Sequence, residues 1–183
     1  LVLLLAIAAA SLAVAIRRSG PSLERASRIS VTVVDREDRL LRAFTTPDGR
    51  WRLPVEPADV DQRYLAMLMA FEDKRFRTHG GVDIAAMLRA SAQLLSNGRI
   101  VSGGSTLTMQ VARLLEGEHE RRAGAKLHQM LVAWQLEHRY SKDEILRLYL
   151  RLAPFGGNIE GVRAASLAYF GKEPVRLSAA EAA

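Results

Sequence analysis

A mainly α fold, preceded by a small β element and an apolar N-terminal helix, is what this sequence predicts. Three observations carry that expectation. Residues 1–16 are apolar apart from Ser11 and stop at Arg17-Arg18. Residues 31–55 hold β-formers broken by turn residues. From Pro57 onward, apolar side chains recur at three- and four-residue spacing, the period of a helix buried on one face.

The apolar run comes first. As a helix it spans roughly 24 Å, a little short of a hydrocarbon core of about 30 Å. The chain opens on Leu1 rather than Met and stops at Ala183 within a helical pattern. It is therefore expected to be a piece of a longer protein, with 1–16 the truncated remainder of a transmembrane anchor. Ala13-Val14-Ala15 resembles a small-residue cleavage site, so a signal peptide stays open as the alternative. Both send the rest of the chain across a membrane. The net charge of +6 then points to lipid headgroups or pyrophosphates rather than to nucleic acid. With no cysteine, disulfides and thiolate metal sites are excluded.

Residues 17–28 look like a polar linker. Val31, Val33 and Val34, the turn-like 35–38 and Leu40 to Phe44 predict a hairpin, with a short strand around Trp51 to Val55. A helix is expected from Val60 through about Phe76, and a second from the N-cap candidate Asp83 to Asn97-Gly98. Gly103-Gly104 leads into a helix from near Ser105 to about Glu116, and another covers roughly Ala123 to Arg139. Ser141 with Glu144 forms a capping-box pattern for the next, which Pro154 ends. A helix around Ile159 to Phe170 follows, and Ser178 with Glu181 opens a last one. The expected plan is an anchor at 1–16, a linker and β element at 17–56, and a helical domain at 57–183.

Three places could carry chemistry. Glu72 borders the apolar stripe formed by Leu65 and Leu68, so partial desolvation of a general base is expected; the bland alternative pairs it with Lys74 or Arg75. Gly103-Gly104 before a helix start offers free N–H groups to a phosphate, with Arg113 near the same face; an ordinary Ser/Thr N-cap is the alternative. Lys126 and Gln129 share a helix face, one turn after Arg121 and Arg122, and a solvated basic face would look the same. His119, His128 and His138 show no metal spacing. No Asp-x-Asp pair is read as marking a metal-dependent nucleotide-sugar site, and Ser-x-x-Lys and Lys-Thr-Gly are absent, so no penicillin-reactive serine is expected within 1–183.

In order and spacing these stretches resemble one family. FEDKRFRTHGG at 71–81 looks like the first signature, E-D-x-x-F-x-x-H-x-G, of the family 51 glycosyltransferases, and GGSTLTMQ at 103–110 like their second. AKLHQ at 125–129 stands where their R-K-x-x-E falls. SKDEILRLYLR at 141–151 with the following 154–172 resembles their fourth region, and LSAAEAA at 177–183 the start of the fifth. WRLPVEP at 51–57, Met109 and the run at 153–157 look most like the 1C-type branch of class A penicillin-binding proteins. The resemblance implies a lysozyme-like helical fold and an inverting polymerisation of a lipid-linked disaccharide (lipid II) into glycan strands, outside the bacterial cytoplasmic membrane. Glu72 would be the general base, with Gln129 at the second catalytic position. Asp73, His79, Ser105, Thr106, Thr108, Gln110, Arg113 and Lys126 match substrate-binding positions. Partners implied are lipid II, the growing chain, the membrane and other cell-wall synthesis proteins. No cofactor is implied beyond an optional divalent cation, such as magnesium, at the pyrophosphate.

Four departures stand out. Ala125 replaces the motif's Arg, Gln129 its Glu, Arg151 its usual Asn, and Arg147 occupies an often-acidic position. A lytic enzyme working with a single Glu and a non-catalytic membrane scaffold are the competing readings.

Overall fold

A computed structural model of the chain describes residues 20–98, 104–117 and 124–183, the side chains of 91 and 94 excepted. The expected anchor at 1–16, together with Gly103, His119, Arg121 and Arg122, lies outside the described residues. Among those described, no helix is long and apolar enough to cross a membrane.

The centre of the fold is built by three helices. Helix α4 (Leu107–Glu116) packs against α5 (Ala125–Arg139) and α6 (Lys142–Leu152). In α4, Leu107, Val111 and Leu115 recur every four residues and form one buried stripe with Ala112. They meet Val132 and Leu136 of α5, and Ile145, Leu146 and Leu150 of α6. Each such side chain contributes about 1.5–3 kcal/mol by leaving water. Helix α6 starts where expected, because Ser141 and Glu144 cap each other's backbone N–H groups. Its first turn carries Asp143 and Glu144 and its last turn Arg151, each matched to the dipole end it occupies.

Around this centre lie α1 (Glu24–Ser27), α2 (Gln62–Glu72), α3 (Ile84–Asn97), α7 (Val162–Phe170) and α8 (Ala179–Ala182), with 3-10 turns at Pro57–Asp59 and Pro174–Arg176. Asp83 accepts from the Ala86 N–H as the N-cap of α3, and Ser178 caps α8 through Glu181. The hairpin is present as β1 (Thr32–Val34) against antiparallel β2 (Leu40–Ala43).

Four local expectations change. The 17–28 linker contains α1, whose Ala26 is buried in the core. The helix expected through Phe76 ends at Glu72, because Asp73 takes φ −158° and ψ 82°. The strand after the hairpin is only β3 (Trp51–Arg52), and its partner is a parallel strand β4 (Ile159–Glu160), where helix was expected. Gly161 explains the late helix start: its φ is +88°, and a Cβ there would lie 2.7 Å from the Arg151 carbonyl oxygen. The chain therefore turns sharply at Gly161, and α7 begins after it.

Arg52 of β3 is fully buried, and Glu160 of β4 faces it. Arg52 Nε donates to Glu160 Oε2 at 2.8 Å, and its Nη1 donates to the Arg25 and Arg28 carbonyls at 2.7 Å each. Arg25 donates to the other Glu160 oxygen at 2.8 Å. One carboxylate thus fastens α1, β3 and β4 together.

Candidate active site

Glu72 is the last residue of α2 and is exposed. The expected desolvation is not found, because the helix ends there and Phe71 beside it is 91% exposed rather than packed. The carboxylate is held instead by a residue distant in sequence: Gln110 Nε2 donates to Glu72 Oε2 at 2.7 Å. Gln110, Ser105, Met109, Arg113 and Gln129 line an open cavity of about 260 Å³. Lys126 joins its rim by donating to Ser105 Oγ. Lys126 is exposed overall, yet desolvation, and next the Arg113 charge, hold its ammonium below the ordinary lysine range. A pocket that crowds two cations together is suited to an anion able to satisfy both.

Two half-buried tyrosines outside the expected set stand near this charge. Burial first, then the Glu72 charge, push the Tyr149 hydroxyl up to about 12, with Arg113 opposing. Burial, Tyr149 and Glu72 raise Tyr64 as well. Both remain protonated hydrogen-bond donors at neutral pH. Tyr149 sits in the fourth motif stretch, but nothing in that spacing separates a site tyrosine from a core one.

The other expected substrate contacts turn inward. Thr106 is buried as the N-cap of α4: its hydroxyl accepts from the Met109 N–H at 3.1 Å and donates to the Gly81 carbonyl at 2.5 Å. Thr108 is buried and donates to Glu137 Oε1 at 2.7 Å. Asp73 is buried too; its Oδ2 accepts from the Leu107 N–H at 2.9 Å and lies 2.8 Å from His79 Nε2. The Gly81 N–H donates to His79 Nδ1 at 3.1 Å, which assigns the ring proton to Nε2 facing Asp73. Asp73, His79 and Thr106 couple the turn after Glu72 to the start of α4, and Thr108 ties α4 to α5. Free N–H groups were expected at that helix start, but Thr106 and Asp73 already occupy two of them. Ser105, Gln110, Arg113, Lys126 and Gln129 are thus brought together at the cavity, with Glu72 at its edge.

The departures at Arg147 and Arg151 lie elsewhere. Arg151 donates to Glu56 Oε1 at 2.9 Å, and Arg147 pairs with the same carboxylate at 3.3 Å. Their charge is spent on the 3-10 turn at 57–59.

Among the described residues none of the cavity lining is a carboxylate and Glu72 stands at the edge, whereas magnesium is usually held by one or two carboxylates besides substrate phosphates. Among the described residues, no group of three or more His, Cys, Asp or Glu side chains is arranged to hold a metal ion.

Residues 37–183 match the family model described as Transglycosylase. The chain is 51% identical over 151 residues to penicillin-binding protein 1C of Escherichia coli, covering 82% of this chain and 20% of that protein. It is 42% identical over 132 residues to penicillin-binding protein 1A of Pseudomonas aeruginosa, covering 72% of this chain and 16% of that protein. Penicillin-binding protein 1F of Bacillus subtilis is 36% identical over 132 residues, covering 72% and 18%. The chain spans about a fifth of the length of these curated relatives. With its motif order, a matched span of 37–183 and this level of identity, the chain belongs to the transglycosylase family, the family 51 glycosyltransferases.

Proposed function

We propose that this chain is a peptidoglycan glycosyltransferase acting at the outer face of the bacterial cytoplasmic membrane. There it extends a lipid-linked glycan chain with lipid II. The observation that carries this reading is the Gln110–Glu72 hydrogen bond at the edge of a cavity lined by Arg113 and Gln129, with Lys126 on its rim. It sets a carboxylate against a cationic pocket, as a reaction that expels a pyrophosphate requires.

In this mechanism Glu72 takes the proton of the acceptor's 4-hydroxyl. The freed oxygen attacks the anomeric carbon of the growing chain from the face opposite its pyrophosphate. A new C–O glycosidic bond forms, the C–O bond to the pyrophosphate breaks with its electrons, and configuration inverts. Arg113 and Lys126 receive the charge that leaves, Ser105 and Gln129 offer hydrogen bonds to it, and Gln110 aims the Glu72 carboxylate. Asp73, His79, Thr106 and Thr108 hold the two halves of the site in register. A cleaving enzyme has no leaving pyrophosphate to receive, so the cation pair favours synthesis over lysis. Cell-wall synthesis proteins are the expected protein partners.

Replacing Arg113 or Lys126 with Ala should weaken binding of the lipid pyrophosphate while thermal stability shifts by about 0.5 kcal/mol or less, the usual range for exposed side chains. Titration with undecaprenyl pyrophosphate checks this, and an unchanged Kd would return both residues to a solvated basic face.

Gln129 is tested by a coupling cycle with Ala125. A Glu at 129 would put a negative charge beside a negative leaving group, so Gln129→Glu alone should not raise the polymerisation rate. Combined with Ala125→Arg on the same helix, it should be better tolerated. A several-fold gain from the single change would show instead that the site lacks a second carboxylate.

A further inference from the structure

Glu137, near the end of α5, and Lys142, which opens α6, form an ion pair at 2.6 Å with side chains 8% and 20% exposed. Neither lines the cavity. Their other hydrogen bonds run to the two segments that carry Gln110 and Glu72. The Glu137 oxygen that meets Lys142 also accepts from Thr108 Oγ1 at 2.7 Å, two residues before Gln110. Lys142 Nζ donates to the His79 carbonyl at 2.6 Å and lies 4.7 Å from the centre of the Phe76 ring, both in the turn that follows Glu72. That turn is seated directly on α5: a Cβ on Gly81 would fall 2.7 Å from the Ala133 carbonyl oxygen and 3.1 Å from Glu137 Cγ.

A mostly buried ion pair adds little net stability, because the cost of desolvating two charges offsets their attraction. What this pair does provide is a fixed distance, since one end holds α4 and the other holds the turn. We propose that Glu137 and Lys142 are positioning residues for the transfer reaction, setting where the Glu72 carboxylate stands relative to Gln110 and the incoming hydroxyl. The proposal rests on the reading of Glu72 as the general base.

The test replaces both charges at once, Glu137→Gln with Lys142→Met, so that neither is left buried alone. Thr108→Val and Thr108→Ser accompany it, and kcat, KM and Tm are measured on the full-length protein beside Glu72→Gln. The double variant should lose kcat by roughly 10- to 100-fold, the scale of a small misplacement of reacting groups, with KM unchanged and a melt that remains cooperative. Thr108→Val should lose kcat in part, and Thr108→Ser, which keeps the hydroxyl, should regain it. Should the double variant fail to fold, the Thr108 pair decides alone. A normal kcat in the folded double variant, a loss confined to KM, or equal rates for Thr108→Val and Thr108→Ser would overturn the proposal. Full activity in Glu72→Gln would instead remove the general-base reading and this proposal with it.

Discussion

Glu72→Gln is expected to lower glycan polymerisation by about 100- to 10,000-fold, the usual range for removing a general base. The amide keeps the shape of the side chain but has no lone pair basic enough to take the acceptor proton. Thermal unfolding should stay where it is, because Glu72 is exposed at a helix end and supports no core residue. Gln110→Ala should do less harm: it frees the carboxylate to wander but leaves its basicity in place. The ordering of the two variants carries the information. Rates for Glu72→Gln near those of the unchanged protein would make Glu72 a surface residue and send the search for a base elsewhere.

The largest effect on stability is expected at Glu160, outside the cavity lining. Removing one member of a buried ion pair typically costs about 3–5 kcal/mol, because the partner is left charged and unpaired. Arg52 is fully buried and would keep only the longer 3.3 Å contact to the part-exposed Asp48 carboxylate, so Glu160→Ala should approach that range and lower Tm by roughly 10 °C. Arg25 loses its partner as well, but its side chain is 30% exposed and can turn to water. The paired replacement Glu160→Leu with Arg52→Met should recover part of the loss, since no buried charge remains. It should not recover all of it, because the Arg25 and Arg28 carbonyls lose their donor. A thermal melt of the three proteins decides the matter, and a Glu160→Ala Tm within a degree or two of the parent would contradict the account.

The parts of this molecule legible in the sequence are those decided within a few residues. Ser141 with Glu144 and Ser178 with Glu181 announce helix starts because both capping partners lie within one turn. The apolar period of α4 is readable for the same reason. The pairing of Trp51–Arg52 with Ile159–Glu160 is not, because two-residue strands have no period and their partners lie 108 positions apart. Side-chain direction is a second limit. Thr106, Thr108 and Asp73 have the right chemistry to hold a phosphate or a sugar, but the same chemistry serves a helix cap or an internal bond. Only the fold shows that their oxygens meet Met109, Glu137 and Leu107. Arg151 is the reverse case: its charge looks disruptive on the motif, and the structure spends it on Glu56.

Synthesis of glycan, rather than its cleavage or mere binding, is the reaction proposed for this site. Incubating the full-length protein in detergent or lipid with lipid II, and separately with preformed glycan strands, distinguishes the three. Gel or mass analysis of the products should show lengthening polymer from lipid II, release of undecaprenyl pyrophosphate, and intact preformed strands. Shortened strands would identify a lytic enzyme, and no change in either substrate would identify a scaffold; either result contradicts the account.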